Sequence, residues 1–355
     1  MDTSLLTESK FWENIQPIKG FPELIDHVLF DTSGSSGFPK SIAISKKALL
    51  ASAAAVNRRL EVNQKSCWGL ALPINHVGGF GVAARAYQAN CGFKKYLHRW
   101  DVHNFHQWLS HYKITHCSLV PTQIHDLVKA HITAPATLLA AVVGGGHLDI
   151  ITGQSARNLG WPVLASYGMT EAASQIATQR LDQLDMPYQP TSLPLLPIWE
   201  ARLTSEKILE IAGPALFSGY ILKGKFIHRE QDWYTTSDHV VIDHNTISPI
   251  GRSDTQVKIL GELVDPEIIE REIFELSKGK LTIGTFAVIA IPDKRNGNSL
   301  IAIFESLVNP ELIDRVLSDY NKQALGFKKL KNHTIVNFLP RNKLGKLQRN
   351  KLIYS

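Results

Sequence analysis

Residues 31–41 read Asp31-Thr-Ser-Gly-Ser-Ser-Gly-Phe-Pro-Lys-Ser41, and what this stretch holds decides how the rest of the chain is read. Glycines let backbone N–H groups crowd around an anion. Ser and Thr hydroxyls donate to phosphate oxygens, and a lysine adds a positive point charge. Before the stretch, His27-Val-Leu-Phe30 is apolar and predicts a strand. After it, the Ala- and Leu-rich run Ser45–Val56, opened by a serine cap, predicts a helix. Strand, loop, helix is the usual frame of a phosphate cradle. The composition also suits a flexible surface linker, and the stretch alone leaves both readings open. The ordinary P-loop is excluded: Gly34, Lys40 and Ser41 fit it, but Pro39 stands where its second glycine must be. Proline has no N–H for a phosphate, and its φ is locked negative.

The 355 residues allow one large domain or two to three smaller ones, and 44% apolar with 20% charged residues is a globular composition. No apolar run approaches the roughly 20 residues of a membrane span, and the mixed N-terminus does not read as a signal peptide. Cys67, Cys91 and Cys117 show no C-x-x-C spacing, so core packing in a reducing cytoplasm is expected, with neither bridges nor metal. The net charge of +6 belongs to the tail: residues 321–355 hold nine Lys or Arg and no acid, and without them 29 basic residues face 32 acidic ones. A nucleic-acid surface, a surface for a small anionic molecule and a plain solvated face all fit that tail. The scarcity of stacking aromatics speaks against nucleic acid.

The first 250 residues alternate short apolar runs with helical patterns. Strands are predicted at Ser66–Leu72, Ala140–Val143 and Trp161–Ser166, and helices at Gly79–Gln88 and Val102–His111. This alternation argues for α/β with a largely parallel sheet. Residues 183–197 read as a loop. Short strands at Ala201–Thr204, Ile208–Ile211 and His239–Asp243 then suggest a β-rich subdomain. A boundary is expected after Gly251-Arg-Ser-Asp254, dividing a large domain of residues 1–253 from a small α+β domain of residues 254–355. The small domain has helices expected at Pro266–Leu276 and near Pro310–Gln323, and strands at Phe286–Ile291 and His333–Leu339.

Several short motifs punctuate this frame: Leu72-Pro-Ile-Asn-His-Val-Gly-Gly79, Gly144-Gly-Gly146, Ser166-Tyr-Gly-Met-Thr-Glu171, Trp233-Tyr-Thr-Thr-Ser-Asp238, Gly251-Arg-Ser-Asp254, Lys258-Ile-Leu-Gly261, Glu267-Ile-Ile-Glu270 and Pro340-Arg-Asn-Lys-Leu-Gly-Lys346, with Arg349 beyond. Singly each has a bland reading: a core histidine, a turn, a helix-start carboxylate, a turn cap, a tail lysine. Their order carries more weight than any one of them.

In that order they resemble the adenylate-forming, or AMP-dependent, synthetase and ligase superfamily. The 31–40 stretch is similar to its phosphate loop, in which proline is normal, and Ser166–Glu171 to its Y-G-x-T-E motif. Trp233–Asp238 resembles its T-G-D motif, with Ser237 in place of glycine. The segment from Gly251 to Glu270 resembles its G-R-x-D…K-x-x-G…E-x-E signature, and Pro340–Lys346 its closing P-R-x-x-x-G-K. The resemblance implies that family's fold, shortened at the N-terminus, since members usually carry a long segment where this chain has thirty residues. Leu72–Arg85 further resembles the o-succinylbenzoate–CoA ligases of menaquinone synthesis, including a basic residue, Arg85, nine positions past His76.

The resemblance implies an enzyme that joins a carboxylic acid to ATP and passes the acyl group to CoA. Thr32, Ser33, Gly34, Ser35, Ser36, Gly37 and Lys40 would hold phosphates. Glu171 would hold Mg²⁺, with Thr170 near the α-phosphate. Gly144, Gly145 and Gly146 would line the adenine, and Tyr167 would stack on it. Asp238, supported by Arg252, would meet the ribose. Lys346 would bridge the reacting carboxylate and the α-phosphate. Asp254 would be the hinge, and Lys258 with Gly261 would come in for the CoA step. His76, Arg85, Ser166 and Gly168 would form the acyl pocket. A salt-bridged place on a helix surface remains open for Arg85. Another acyl- or aryl-CoA ligase, an enzyme loading a carrier thiol, and an inactive nucleotide-binding relic remain alternatives. No nucleic-acid partner and no membrane span are expected, and a homo-oligomer is left open.

Overall fold

The structure is a computed structural model that describes residues 8–13, 16–32, 40–253, 255–260, 262–282, 284–293, 296–341 and 347–352. The chain forms two compact units, Met1–Thr236 with Val241–Ser248, and Ser237–Val240 with Pro249–Ser355.

The first unit is built on a six-stranded sheet in the order Ser174–Thr178, Val163–Met169, Ala140–Val143, His116–Leu119, Cys67–Leu70, Gly92–Lys95. Only the Ser174–Thr178 pairing is antiparallel. His116–Leu119 and Ala140–Val143 are buried at every residue, as strands covered on both faces must be. The helix Lys46–Arg59 precedes these strands in sequence, and Val77–Gln88, Val102–His111, Pro121–Lys129 and Ile150–Asn158 lie between them. Three begin at side-chain caps, where Ser45, Asp101 and Asp149 accept from the N–H of Ala48, Asn104 and Thr152. An aromatic group of Tyr96, Phe105, Trp108 and Trp161 fills the largest described core cluster. The three cysteines are free.

The frame around residues 31–41 differs from the expected strand, loop and helix. A further strand, Lys40–Ser45, follows the loop and pairs antiparallel with His27–Thr32, from His27 opposite Ser45 to Thr32 opposite Lys40. The quoted stretch therefore joins the arms of a hairpin, and the helix starts only at Lys46. The reason is nonlocal: Ile42, Ala43 and Ile44 are fully buried, and Gly219–Leu222 pairs with the strand's other edge. Ser45 ends the strand and caps the helix at once.

Residues 183–197, expected as a loop, hold the end of a short 3₁₀ turn, Leu181–Asp185, and a two-residue strand, Leu193–Pro194. That strand opens a five-stranded sheet with Thr246–Arg252, Tyr234–Asp243, Ile208–Ala212 and Glu200–Leu203. The division between the units runs through Tyr234–Asp243 and Thr246–Arg252.

The second unit carries the sheet Phe286–Asp293, Gly297–Glu305, Asn332–Val336, in which the first pair is antiparallel and the second parallel. Gly297–Glu305 was not expected, and the last strand ends three residues earlier than its apolar pattern suggests. Helices Pro266–Leu276 and Pro310–Gln323 both start with proline behind a side-chain cap, Asp265 and Asn309. Ile269, Ile273, Val288, Phe304, Ile313 and Tyr320 form its core.

Candidate active site

Lys40 and Glu171 meet in the first unit. Lys40 opens the second arm of the hairpin, and Glu171 sits in the single 3₁₀ turn Thr170–Ala172 that follows Val163–Met169. Lys40 Nζ lies 3.4 Å from Glu171 Oε1 and 4.2 Å from the centre of the Tyr220 ring. The Tyr220 hydroxyl reaches the same Oε1 at 3.4 Å and the Tyr234 hydroxyl at 3.1 Å. Burial, then Tyr234 and Glu171, push the Tyr220 hydroxyl well above its ordinary pKa, so it stays a neutral donor. Sequence reasoning missed both tyrosines. Tyr234 lay inside a quoted motif, and Tyr220 carried no signal, since its place comes from strand pairing.

The backbone behind Glu171 is unusual. Ala173 has φ 49° and Ser174 φ 124°, two successive non-glycine residues at positive φ. Such conformations cost on the order of 1–3 kcal/mol each and persist only where surrounding structure imposes them. Here Gly168 makes the geometry feasible, because a Cβ on it would lie 1.7 Å from the Ser174 carbonyl oxygen.

Gly144–Gly146 follows the strand Ala140–Val143, and Ser166–Glu171 runs through the carboxyl end of the adjacent parallel strand Val163–Met169 into the turn beyond, where open α/β sheets bind ligands. Ser166 Oγ donates to the Val143 carbonyl at 3.1 Å, and a Cβ on Gly144 would meet that Oγ at 2.7 Å. Gly145 takes φ +76°, and Gly145 and Gly146 are exposed. Tyr167 is half-buried against the main core cluster.

Arg85 and His76 lie on the Val77–Gln88 helix but are not brought together. His76 occupies its N-cap position, with its carbonyl accepting from Phe80 N–H at 2.8 Å. Nine residues put about 13 Å of rise along the helix between the two. Arg85 is 1% exposed, so the salt-bridged surface reading is overturned. Nη1 donates to Ser118 Oγ at 3.0 Å and Nη2 to Ser174 Oγ at 3.2 Å, while Cζ stands 5.2 Å from the Trp68 ring. Among the described residues no carboxylate pairs with it. Burial alone lowers its pKa to about 10.

In the second unit, Arg252 Nη1 donates to the buried Asp238 at 2.9 Å, and Arg252 N–H to Asp265 Oδ2 at 3.1 Å. Lys258 is exposed on the hairpin Val257–Ile259/Glu262–Val264. A contact not anticipated from sequence joins Arg349 to both oxygens of Glu270, to Glu267 at 3.3 Å and to the Val288 carbonyl at 3.1 Å. Burial works against the guanidinium's charge, but Glu270 and Glu267 together outweigh it and hold Arg349 above its ordinary pKa. Thr32 ends its strand with backbone paired to Lys40. Ser33, Gly34, Ser35, Ser36, Gly37, Asp254, Gly261 and Lys346 lie outside the described residues. A surface cleft of about 340 Å³, lined by Arg58, Arg59, Arg180 and Asp182 among others, contains none of the expected site residues.

Residues 27–221 match the model of one protein family, described as AMP-binding enzyme. The chain is 28% identical over 296 residues to the 2-succinylbenzoate–CoA ligase of Escherichia coli, covering 83% of this chain and 61% of that protein. It is 30% identical over 276 residues to that of Salmonella typhimurium, covering 77% and 57%. The chain thus spans less than two thirds of the length of these two relatives. Among solved structures, the o-succinylbenzoate CoA synthetase of Bacillus subtilis with its acyl-adenylate intermediate matches at TM-score 0.78 and 22% identity, over 92% of this chain and 69% of that one. ATP-bound MatB of Rhodopseudomonas palustris matches at TM-score 0.75 and 24% identity, over 92% and 67%. At such identities the structural matches speak for the fold alone.

Proposed function

Because the chain belongs to the AMP-binding enzyme family, we propose that it is an acid–CoA ligase acting on 2-succinylbenzoate, as in menaquinone biosynthesis. The observation that carries the reading is the meeting of Lys40 and Glu171, a phosphate-binding cation beside a metal-binding carboxylate. The substrate rests on two supports. The curated relatives carry the name 2-succinylbenzoate–CoA ligase. Arg85 is a buried cation with no acid partner among the described residues, suited to the carboxylate that does not react.

The reaction has two steps. A carboxylate oxygen attacks the α-phosphorus of ATP, and the bond to pyrophosphate breaks. The CoA thiol then attacks the acyl carbon, and the bond to AMP breaks. Lys40 and the 32–37 loop neutralise the β- and γ-phosphates, which matters most as charge shifts onto pyrophosphate. A relative is described as bound to ATP and a magnesium ion, and Glu171 fits such an ion here. It is one half-buried carboxylate, with 14% of its side chain exposed, and no cluster of three or more ligating side chains stands among the described residues. One or two carboxylates completed by phosphate oxygens is what Mg²⁺ takes, and bound there it would offset phosphate charge. Thr170 contacts the α-phosphate. Gly144–Gly146 and Tyr167 hold the adenine, and Asp238, oriented by Arg252, accepts from the ribose hydroxyls. Ser166, Gly168 and His76 border the acyl chain.

Residues 254–355 form the mobile domain in this reading. Asp254 is its hinge, Lys346 serves the adenylation step, and Lys258 with the Gly261 loop serves the thiol step. ATP and CoA as co-substrates place the enzyme in the cytoplasm. No helix among the described residues is long and apolar enough to cross a membrane.

The test is ATP–pyrophosphate exchange with Mg²⁺ against 2-succinylbenzoate, benzoates and fatty acids, with Lys346→Ala as control. Exchange with 2-succinylbenzoate that the variant loses supports the reading. Exchange only with another acid refutes the substrate, and exchange with none refutes the activity.

A further inference from the structure

The two groups that hold Arg85 are both neutral hydroxyls. Ser118 lies on His116–Leu119 and Ser174 opens Ser174–Thr178, so two separate strands grip the two ends of one guanidinium. The Trp68 ring covers a third side. One turn before Arg85, Gly81 lets the fork lie close against its own helix: a Cβ there would stand 3.3 Å from Nη2 and 3.5 Å from Ser174 Oγ. A buried cation is ordinarily paired with a carboxylate, because an uncompensated charge in the interior is costly. Here the partners fix the fork's direction and leave its charge whole. A hydroxyl that accepts from an N–H still has its own proton to donate. Among the described residues neither serine hydroxyl has another recorded hydrogen bond. The guanidinium and the two hydroxyl protons together offer an anion donors with no carboxylate already in place among the described residues.

We infer that Ser118 and Ser174 are positioning residues that orient Arg85 without neutralising it, and that they thereby select acids carrying a second carboxylate. The inference rests on the acid–CoA ligase reading. An acidic side chain at either serine would occupy the guanidinium internally and remove the selection. A shorter one would loosen the fork while leaving the charge.

The experiment compares two acids in ATP–pyrophosphate exchange: 2-succinylbenzoate, and 4-oxo-4-phenylbutanoate, which lacks the ring carboxylate. Wild type, Ser174→Asp, Ser174→Ala and Ser118→Ala are assayed on the full chain. In Ser174→Asp, kcat/KM for 2-succinylbenzoate is expected to fall about hundredfold, the scale of a lost charge-assisted pair, while the value for the single-carboxylate acid holds. In each alanine variant, KM for 2-succinylbenzoate is expected to rise about tenfold with kcat kept, as for one lost hydrogen bond to a charged group. The alanine variants carry the test if the aspartate variant fails to fold. A purely structural role for the serines would lower both acids together, and that result, or no change with either acid, overturns the inference alone. A wild type that exchanges with neither acid overturns the ligase reading and the inference with it.

Discussion

Lys40 and Glu171 stand 131 positions apart in the chain and meet at 3.4 Å, with the ring of Tyr220 beneath the lysine and its hydroxyl on the same carboxylate oxygen. A cation and a carboxylate this close, both partly open to solvent, contribute little to stability as a pair. In the proposed function their use lies in the phosphate and Mg²⁺ that enter between them. Lys40→Ala is expected to lower pyrophosphate exchange by about 10²–10³, the range for losing one preorganised donor. Glu171→Gln is expected to raise the Mg²⁺ concentration needed for half-maximal exchange. Thermal midpoints of both variants should stay within a few degrees of wild type. A Mg²⁺ titration unchanged in Glu171→Gln would remove the metal role.

Arg85 gives the site a pH signature. Burial lowers its pKa to about 10, so its hold on a substrate carboxylate should fade as pH approaches that value. KM for 2-succinylbenzoate should climb there, while KM for a single-carboxylate acid stays level. Steady-state exchange from pH 8 to 10.5 with both acids checks this.

His116 predicts an effect on the acid side. Its ring is buried beside Trp68, with Nδ1 near Thr115 Oγ1 at 2.8 Å and Nε2 near the Leu60 carbonyl at 3.2 Å. Burial lowers its pKa below 6.5, and the Leu60 carbonyl only partly opposes this. Below pH 6.5 the unfolded chain then binds a proton that the folded chain resists, so stability should fall as pH drops through that range. Denaturant midpoints of wild type and His116→Gln between pH 7.5 and 5 should diverge on the acid side, with wild type losing more.

Gly168→Ala should damage the site more than its size suggests. The added Cβ would meet the Ser174 carbonyl oxygen at 1.7 Å, and a backbone atom has no rotamer by which to yield. A destabilisation of about 1–3 kcal/mol, the range for overpacking, is expected in denaturant unfolding, with exchange lost well before the fold. Full activity would show that the Tyr167–Ser174 turn can relax.

Arg349 should matter to the second unit itself. Its bidentate pair with Glu270 is partly buried, and Glu270 also accepts from Val288 N–H at 2.6 Å. Breaking such a pair from one side costs about 3–5 kcal/mol when fully buried, and about half that is expected for Arg349→Met, given the side chain's 25% exposure. Faster hydrogen exchange at Val288 is the measurement, since that amide loses its acceptor's anchor.

Much of the architecture was legible locally. Val102–His111, Pro266–Leu276 and Pro310–Gln323 begin and end where sequence reading sets them, because Asp101, Asp265 with Pro266, and Asn309 with Pro310 are start signals written in adjacent residues. Ala140–Val143 is equally plain, an apolar run closed by three glycines. The strands Lys40–Ser45 and Gly297–Glu305 were not read, since what makes each a strand is a partner far along the chain or beyond a polar turn.

The candidate site divides the same way. The amino-acid sequence by itself determined which side chains are the candidates: Lys40, Arg85, Glu171, Asp238 and Arg252 all stood in motifs whose order was visible. Only the tertiary structure decided what surrounds them. It set Tyr220 against Glu171, turned Ser118 and Ser174 onto Arg85, and closed Arg349 on Glu270. Those partners lie 33 to 89 positions away in the chain, and nothing local marks them. Whether a buried arginine meets a carboxylate or two hydroxyls depends on which strands pass beside its helix, and strand order is set by packing the whole sheet.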